Sequence, residues 1–466
     1  MRIISAEEMR ALDMNCQYFG LLPLQLMENA GAALAREIRS RYPGSRVAVV
    51  AGRGNNGGDA LVCARHLANL NPRVYLLGRS RNITTEEAKR NWDILEELDL
   101  DLMEVSDPSE IDLGEFDLII DAIFGTGVRA PVRGLEGGAI DAINASGKRI
   151  VSVDVPSGLG ADKTVKPDIT VTFHSPKPGL EGNVVVAEIG IPLHAEFFTG
   201  PGDLSLVGTR SKYAHKGDSG RVLVIAGGPY TGAPAIAAMA ALRAGADIVT
   251  VATPRSAART IAGFSPDLIV RELSEDHLVP EDLPVLKDLI SRHSVVLMGM
   301  GLGTASETKE ALAQIIPMCK KPVIDADALQ PGLPLKGIVT PHAGEFQRIS
   351  GVTLPGPDYR SRMDPVKNYA QQNGLVVLIK GKVDIISDGE TVRYNGTGNP
   401  GMTVGGTGDC LAGITASFYA RTTAMRAATA AAFVNGRAGD LVALEKDYCM
   451  VATDVVEMIP RAMRLE

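Results

Sequence analysis

Two stretches of this chain combine residue types and spacings that could do chemistry. The first is Gly52-Arg53-Gly54-Asn55-Asn56-Gly57-Gly58-Asp59, directly after an apolar run ending at Ala51. A glycine-rich turn between a strand and a helix lets backbone N–H groups approach a phosphate, and the helix N-terminus favours its charge. Gly52 to Gly57 satisfies G-x-G-x-x-G, but the paired asparagines and Asp59, read as the helix N-cap, depart from the usual dinucleotide fingerprint. A capped tight turn would explain this loop by itself. Two later loops add to it: Asp121 precedes Gly125-Thr126-Gly127, and Asp154 precedes Pro156-Ser157-Gly158. Ligands of an open parallel sheet lie beyond the carboxyl ends of its strands, so the three loops converge on one crevice. There Asn56, Asp121 and Ser157 could supply oxygen ligands to a hard monovalent or divalent cation. Asp154 is left as the candidate proton-transfer group.

The second stretch is Gly405-Gly406-Thr407-Gly408-Asp409, which opens an apolar, helix-like segment. Successive N–H groups at a helix start form an anion hole for a transferring phosphoryl group, and Asp409 beside it can accept a hydroxyl proton. Four glycines around one Asp, Gly405, Gly406, Gly408 and Gly413, weaken a helix start unless a ligand offsets them. Four more segments follow strand-like runs: Gly227 to Pro234 (GGPYTGAP), Gly299 to Gly303 (GMGLG), Thr340 to Phe346 (TPHAGEF) and Lys380 to Asp384 (KGKVD). Asn399-Pro400-Gly401 reads as a turn that positions the anion hole.

The elements that must hold these loops are short Val- and Ile-rich runs bounded by Gly or Asp, the pattern of buried parallel strands. They fall at Arg46–Ala51, Arg73–Leu77, Asp117–Ala122, Arg149–Val155 and Ile169–Phe173, with helical patterns at Leu24–Ile38, Ala60–Leu70 and Glu86–Leu98. The rhythm restarts at Arg221–Ala226 and continues through Asp247–Ala252, Val295–Met298, Pro322–Asp325 and Leu375–Ile379. Strands alternating with helices indicate α/β architecture, here two doubly wound domains. The boundary is expected near residue 205, in the aperiodic stretch around Gly200-Pro201-Gly202, giving domains 1–205 and 206–466. The basic residues Lys212, His215 and Lys216 read as a solvated linker face.

Composition bounds the function. A net charge of -8 and 5% aromatic residues offer neither a basic surface nor stacking platforms for nucleic acid. The five cysteines are dispersed with no C-x-x-C pair, which reads as reduced thiols and argues against a tightly held transition metal. No apolar run reaches the roughly 18 residues that cross a bilayer, and the N-terminus lacks a signal-peptide core. A cytoplasmic protein is expected, with no membrane partner and in a homo-oligomeric state.

The motifs resemble two known families. Met27-Glu28-Asn29-Ala30-Gly31, Asn55 to Asp59, Asp121 to Gly127, Val153 to Gly158 and Thr170 to Leu180 (TVTFHSPKPGL) resemble the NAD(P)HX epimerase domain, over nearly all of residues 1–205. The resemblance implies a Rossmann-like sheet and a potassium ion held by Asn56, Asp121 and Ser157. It also implies that Asn55, Asn56, Gly57, Gly58, Asp59, Gly125, Thr126, Gly127, Val128, Arg129, Ala130, Pro131 and Asp154 hold the hydrated dinucleotide, Asp154 being catalytic. Ala60 stands where that family usually has Gly, which raises the expectation of a methyl crowding the ligand.

The second set of motifs resembles the ADP- or ATP-dependent NAD(P)HX dehydratase domain, a ribokinase-like fold, over about residues 210–466. That implies adenine-nucleotide contacts from Lys380, Gly381, Lys382, Val383, Asp384 and Gly408, with magnesium. Substrate contacts are implied for Ala233, Gly301, His342 and Asp409, the last as catalytic base. Met300 replaces a customary Pro, expected to alter loop stiffness and not a contact. The two domains in this order resemble the bifunctional NAD(P)H-hydrate repair family, whose substrates are NADHX, NADPHX and ADP or ATP. Such a chain epimerises the hydrate at C6 and dehydrates the S epimer through a phosphorylated intermediate. Two rival readings stand beside it: a thiazole- or sugar-kinase-like enzyme, and a non-catalytic nucleotide sensor.

Overall fold

The computed structural model describes residues 2–208, 210, 212–274 and 276–465. The chain forms two compact units, Met1–Leu193 and His194–Glu466.

The first unit is a seven-stranded parallel sheet: β1 (Val47–Ala51), β2 (Arg73–Leu77), β3 (Asp101–Val105), β4 (Leu118–Ala122), β5 (Arg149–Val153), β6 (Ile169–Phe173) and β7 (Val184–Ala187). The spatial order is β3-β2-β1-β4-β5-β6-β7, all parallel. Strands buried along their whole length, as β1, β4 and β6 are, must be covered on both faces. Helices Pro23–Arg41, Asn55–His66, Glu86–Glu96 and Gly134–Ala145 are available to cover them. The chain leaves β1 in one direction and returns beside it as β4, so the switch point lies between those two strands. Register places Asp121 beside Val50 on one side and Ser152 on the other. A further helix, Ala6–Tyr18, precedes the sheet, started by a capping box in which Ser5 Oγ accepts from Glu8 N at 3.2 Å and Glu8 Oε2 from Ser5 N at 3.0 Å.

The second unit repeats this plan in nine strands: β8 (Arg221–Ile225), β9 (Ile248–Thr253), β10 (Ile269–Glu272), β11 (Val295–Met298), β12 (Pro322–Ile324), β13 (Ile338–Val339), β14 (Val376–Ile379), β15 (Asp384–Ser387) and β16 (Val392–Asn395). The order is β10-β9-β8-β11-β12-β13-β14-β15-β16, with the switch point between β8 and β11. The last two strands run antiparallel as a hairpin on the sheet edge, an element the sequence did not announce. One face of the sheet is covered by an alanine-rich layer including helices Gly232–Arg243, Thr407–Tyr419 and Ala424–Lys446. Small side chains let these helices approach closely: a Cβ on Gly413 would lie 2.1 Å from the Ala237 carbonyl oxygen. The helix that opens with Asp409 is thereby seated on the helix that follows β8.

The units part at Leu193, earlier than the expected boundary near 205. The reason lies in the pairing of residues 198–203 with the edge strand β16. Thr199 N donates to Tyr394 O at 2.7 Å, and Asp203 pairs with Arg393 at 2.9 Å. The cysteines form no disulfide with one another, and Cys449 is exposed. No helix among the described residues is long and apolar enough to cross a membrane.

Candidate active sites

In the first unit the chain turns sharply at the end of β1. Gly52 N donates to Ala122 O at 3.0 Å, and a Cβ on Gly52 would lie 2.0 Å from the Ile123 carbonyl oxygen. A Cβ on Gly57 would lie 1.9 Å from the Gly52 carbonyl oxygen, so glycine alone lets the helix begin this close to the strand ends. The expected role of Asp59 as N-cap is corrected. The helix begins at Asn55 with Gly54 as its cap, and Asp59 lies within the helix, facing a cavity of about 820 Å³. Of the sequence-derived set, Asn55, Asn56, Asp59, Gly125, Thr126, Gly127, Val128 and Asp154 line that cavity. Gly57 and Gly58 act behind it by close packing, Gly58 against Met27. Arg129, Ala130 and Pro131 lie off its wall. Ala60 is fully buried and absent from the lining, so its methyl does not crowd the cavity as anticipated.

Asn56, Asp121 and Ser157 meet around the backbone of Phe124. Asn56 Nδ2 donates to Phe124 O at 3.0 Å, and Phe124 N donates to Ser157 Oγ at 2.9 Å. Asp121 is fully buried, and its Oδ2 accepts from Ser152 Oγ at 2.7 Å and Ser157 N at 2.9 Å. Its Oδ1 has no hydrogen-bond partner. Burial raises the Asp121 pKa, and the hydrogen bonds from Ser157 and Ser152 oppose that rise. A buried carboxylate with an unused oxygen, beside hydroxyl and amide oxygens, fits a hard cation.

Asp154 stands in the left-handed region, with φ of 62°, a strained geometry for a residue with a side chain. The strain turns its carboxylate toward β6: Oδ1 accepts from Thr172 Oγ1 at 3.0 Å and pairs with Lys177 Nζ at 2.5 Å. Lys177, only 3% exposed, also donates to Phe173 O at 2.7 Å and to Thr172 Oγ1 at 3.0 Å. Lys177 lies within the TVTFHSPKPGL segment, whose residue types alone assign it no role. Nor does any motif single out Asp13, which reaches this cavity from helix Ala6–Tyr18.

In the second unit a cavity of about 610 Å³ opens beyond β8 and β11, lined by Tyr230, Ala233, Gly301, Asp327, Gly406 and Asp409 among others. Gly301, at φ of 69°, would carry a Cβ 2.9 Å from that of Tyr230. Three expected substrate contacts, Ala233, Gly301 and Asp409, thus share one wall. His342 does not join them. Its Nδ1 accepts from Gly344 N at 3.0 Å and Glu345 N at 3.3 Å, capping helix Ala343–Ser350, while the ring stays 59% exposed. Met300 is fully buried in the core, and its carbonyl takes the Gly227 N–H at 2.9 Å, so the substitution leaves the cavity wall unchanged.

Lys380 Nζ lies 2.8 Å from Asp325 Oδ1 and 3.6 Å from Glu345 Oε2, and 3.4 Å from where a Cβ on Gly408 would stand. Lys380 and Gly408 are therefore neighbours at the start of the Asp409 helix. Asp384 faces inward: Oδ1 accepts from Gly381 N and Oδ2 from Asn395 Nδ2, each at 2.9 Å. Burial pushes its pKa up to about 6, and the carboxyl ties down a turn whose Gly381 and Lys382 are exposed. Burial first, then the Asp325 charge, pushes Asp409 up to about 7 against the pull of Lys380. Asp325 and Asp327, at the end of β12, escaped sequence reading although both flank Asp409 electrostatically.

Each unit is a doubly wound sheet with a nucleotide-sized, carboxylate-bearing cavity at its switch point, which defines a two-domain α/β nucleotide-handling enzyme. A family model described as NAD(P)H-hydrate dehydratase matches residues 222–461, and one described as YjeF-related protein N-terminus matches 23–179. The bifunctional NAD(P)H-hydrate repair enzyme of Archaeoglobus fulgidus is 44% identical over 99% of both chains. That of Methanothermobacter thermautotrophicus is also 44% identical, over 99% of this chain and 95% of its own. Among solved structures, the ADP/ATP-dependent NAD(P)H-hydrate dehydratase of Bacillus subtilis, co-crystallised with ATP and magnesium, is 25% identical. It covers 57% of this chain and 96% of its own, with a TM-score of 0.50. A ribokinase-like superfamily protein of Enterococcus faecalis matches equally, at 25% identity and a TM-score of 0.50 over 57% of this chain and 95% of its own. The chain belongs to the family of bifunctional NAD(P)H-hydrate repair enzymes.

Proposed function

We propose that this chain repairs NADH and NADPH that carry water across the nicotinamide 5,6 double bond. The first unit interconverts the C6 epimers, and the second dehydrates the S epimer at the expense of ADP or ATP. The observation that carries the dehydratase reading is Asp409, poised near neutrality at the start of a glycine-rich helix and beside Lys380. Hydroxide is a poor leaving group, so the C6 oxygen is first phosphorylated. Asp409 takes the hydroxyl proton as the oxygen attacks the terminal phosphorus. The first N–H groups of helix Thr407–Tyr419, left over by the helical ladder, face the charge of the transferring phosphoryl group. The ring-nitrogen lone pair then expels phosphate, and loss of a C5 proton restores the dihydropyridine.

Lys380, Gly381, Lys382, Val383 and Gly408 hold the adenine nucleotide in this reading, with Asp384 shaping their turn. His342 contributes by setting the start of its helix. Magnesium bound with the nucleotide would neutralise phosphate charge; Asp325, Asp327 and Glu345 are the nearby carboxylates that favour it. In the first unit Asn56, Asp121 and Ser157 would hold potassium, which would supply the counter-charge that Asp121 lacks. Asn55, Asn56, Asp59 and the loop beginning Gly125-Thr126-Gly127 hold the dinucleotide there. Asp154, paired with Lys177, moves a proton at the C6 oxygen. A cytoplasmic location and a homo-oligomeric state belong to the same proposal.

The test is recovery of near-UV dihydropyridine absorbance from a mixed-epimer hydrate with magnesium and ADP or ATP, alongside phosphate release. Full recovery with one phosphate per dinucleotide is expected. Recovery that stops at one epimer would refute the epimerase reading, and no recovery with either nucleotide would refute the dehydratase reading.

A further inference from the structure

Helix Ala6–Tyr18 presents Ala6, Met9, Arg10 and Asp13 to the first cavity. That is the i, i+3, i+4, i+7 spacing of one helical face, so a single face of the helix, Asp13 included, is turned to the cavity. This helix precedes the segment 23–179 that the family model matches, and none of the motifs draws on it.

Asp13 shares the cavity with Asp59, Asp154 and Lys177. The three carboxylates differ in their support. Asp154 is anchored by Thr172 and Lys177, whereas Asp13 and Asp59 accept no hydrogen bond from any of the described residues. Lys177 is the cation coupled to all three, while Arg53, also on the wall, is paired with Glu136 and Arg10 is exposed. One ammonium facing three carboxylates leaves the cluster short of positive charge, and such a cluster retains protons. Burial and the Asp154 charge push Asp13 up to about 6, and burial raises Asp59 further above its ordinary value. An anchored carboxylate beside a proton-bearing one is the arrangement of a base and an acid.

We propose that Asp13 is a second catalytic residue of the epimerase half-reaction, exchanging protons with the C6 oxygen in partnership with Asp154; this rests on the epimerase reading of the first unit. Asp13 in its acid form gives a proton to the C6 hydroxyl. The C6–O bond breaks with its electron pair leaving on water, and the ring-nitrogen lone pair forms the N1–C6 double bond. Water then adds to the other face of C6, the double-bond electrons return to nitrogen, and the Asp154 carboxylate takes the surplus proton. Return of that proton to Asp13 resets the pair, so the cycle consumes nothing.

The experiment uses the full chain without nucleotide, which silences dehydration, and follows the ratio of epimers from a single purified NADHX epimer by chromatography. Asp13→Asn is expected to lower kcat by about 10²–10³-fold with KM within about threefold. The alkaline limb of the kcat profile, set by ionisation of the acid, should go with it, and dehydration of the S epimer on adding ATP should be unchanged. Asp13→Glu, which keeps the carboxyl, should exceed the Asn variant at least tenfold and decides the matter should the latter fail to fold. Asp13→Asn within threefold of wild type, or a loss carried by KM alone, would overturn the role while leaving the epimerase reading intact. A wild-type chain that does not interconvert the epimers would remove both.

Discussion

Replacing Asp409 by Asn should make the second unit more stable while disabling it. The carboxyl is pushed from 3.8 up to about 7 by burial and the charge of Asp325. Its folded pKa therefore exceeds its unfolded one, the folded state takes up a proton between those values, and the group erodes stability as pH rises from about 4 through 7. A shift of about three units at about 1.4 kcal/mol each sets the full deficit at no more than about 4 kcal/mol above pH 8. An amide has its own desolvation cost, so roughly 1–3 kcal/mol of that should be recovered by Asp409→Asn at pH 8, and almost none at pH 4. The assay is denaturant unfolding of both proteins from pH 5 to 8, taking the transition that moves when ATP is added. Dehydration measured on the same samples should fall by about 10²–10⁴-fold, or about 3–5 kcal/mol of barrier. An Asn variant less stable than wild type at pH 8, or a gap that does not change with pH, would refute the account of Asp409 as a desolvated base among like charges. A variant that turns over normally would remove it as the base altogether.

The unused Oδ1 of Asp121 predicts that exchanging potassium for a bulky organic cation lowers the midpoint of the first unit's thermal transition. The loss should reach about 2.7 kcal/mol if the ion is present at a hundred times its Kd, and Asp121→Asn should make that transition indifferent to the exchange. Gly57→Ala forces a methyl to within 1.9 Å of the Gly52 carbonyl oxygen, where only backbone can yield, and should cost about 2–4 kcal/mol with loss of substrate affinity. Gly125→Ala places its methyl at an ordinary 3.7 Å from Asn56, so comparable damage in a melting experiment would contradict the steric argument.

What the sequence made legible is what repeats along it. Fully buried strands such as Val47–Ala51 and Leu118–Ala122 stand out as unbroken apolar runs, and their loops can be ordered around a switch point before any coordinates exist. Strands without that signature were missed. Asp101–Val105 and Ile269–Glu272 lie on sheet edges and are partly exposed, and Ile338–Val339 is two residues long. The start of helix Asn55–His66 was misread because its two glycines weigh against helix by propensity, whereas packing against Gly52 requires them there. Ala60 and Met300 raised questions that only the direction of a side chain could answer, and both point into the core. Asp13 and Asp325 carry no local motif, and the motif that contains Lys177 is silent on its role. Each matters through a partner 23 or more residues away, as Lys177 does for Asp154 and Lys380 for Asp325 across 55 positions.

The hairpin that ends the second sheet bears on how the chain can be divided for separate production. A sheet edge with unpaired N–H and C=O groups recruits other edges, and β16 is shielded from that by Phe198 and Thr199, which pair with Tyr394. Arg393 donates to the Phe198 carbonyl at 2.9 Å and is neutralised by Asp203. A fragment that starts at residue 206 would discard all of these, leaving a sticky rim and an arginine without its counter-ion. One that starts at His194 would retain its own cover, so the place to cut lies ahead of the glycine-proline stretch and not behind it.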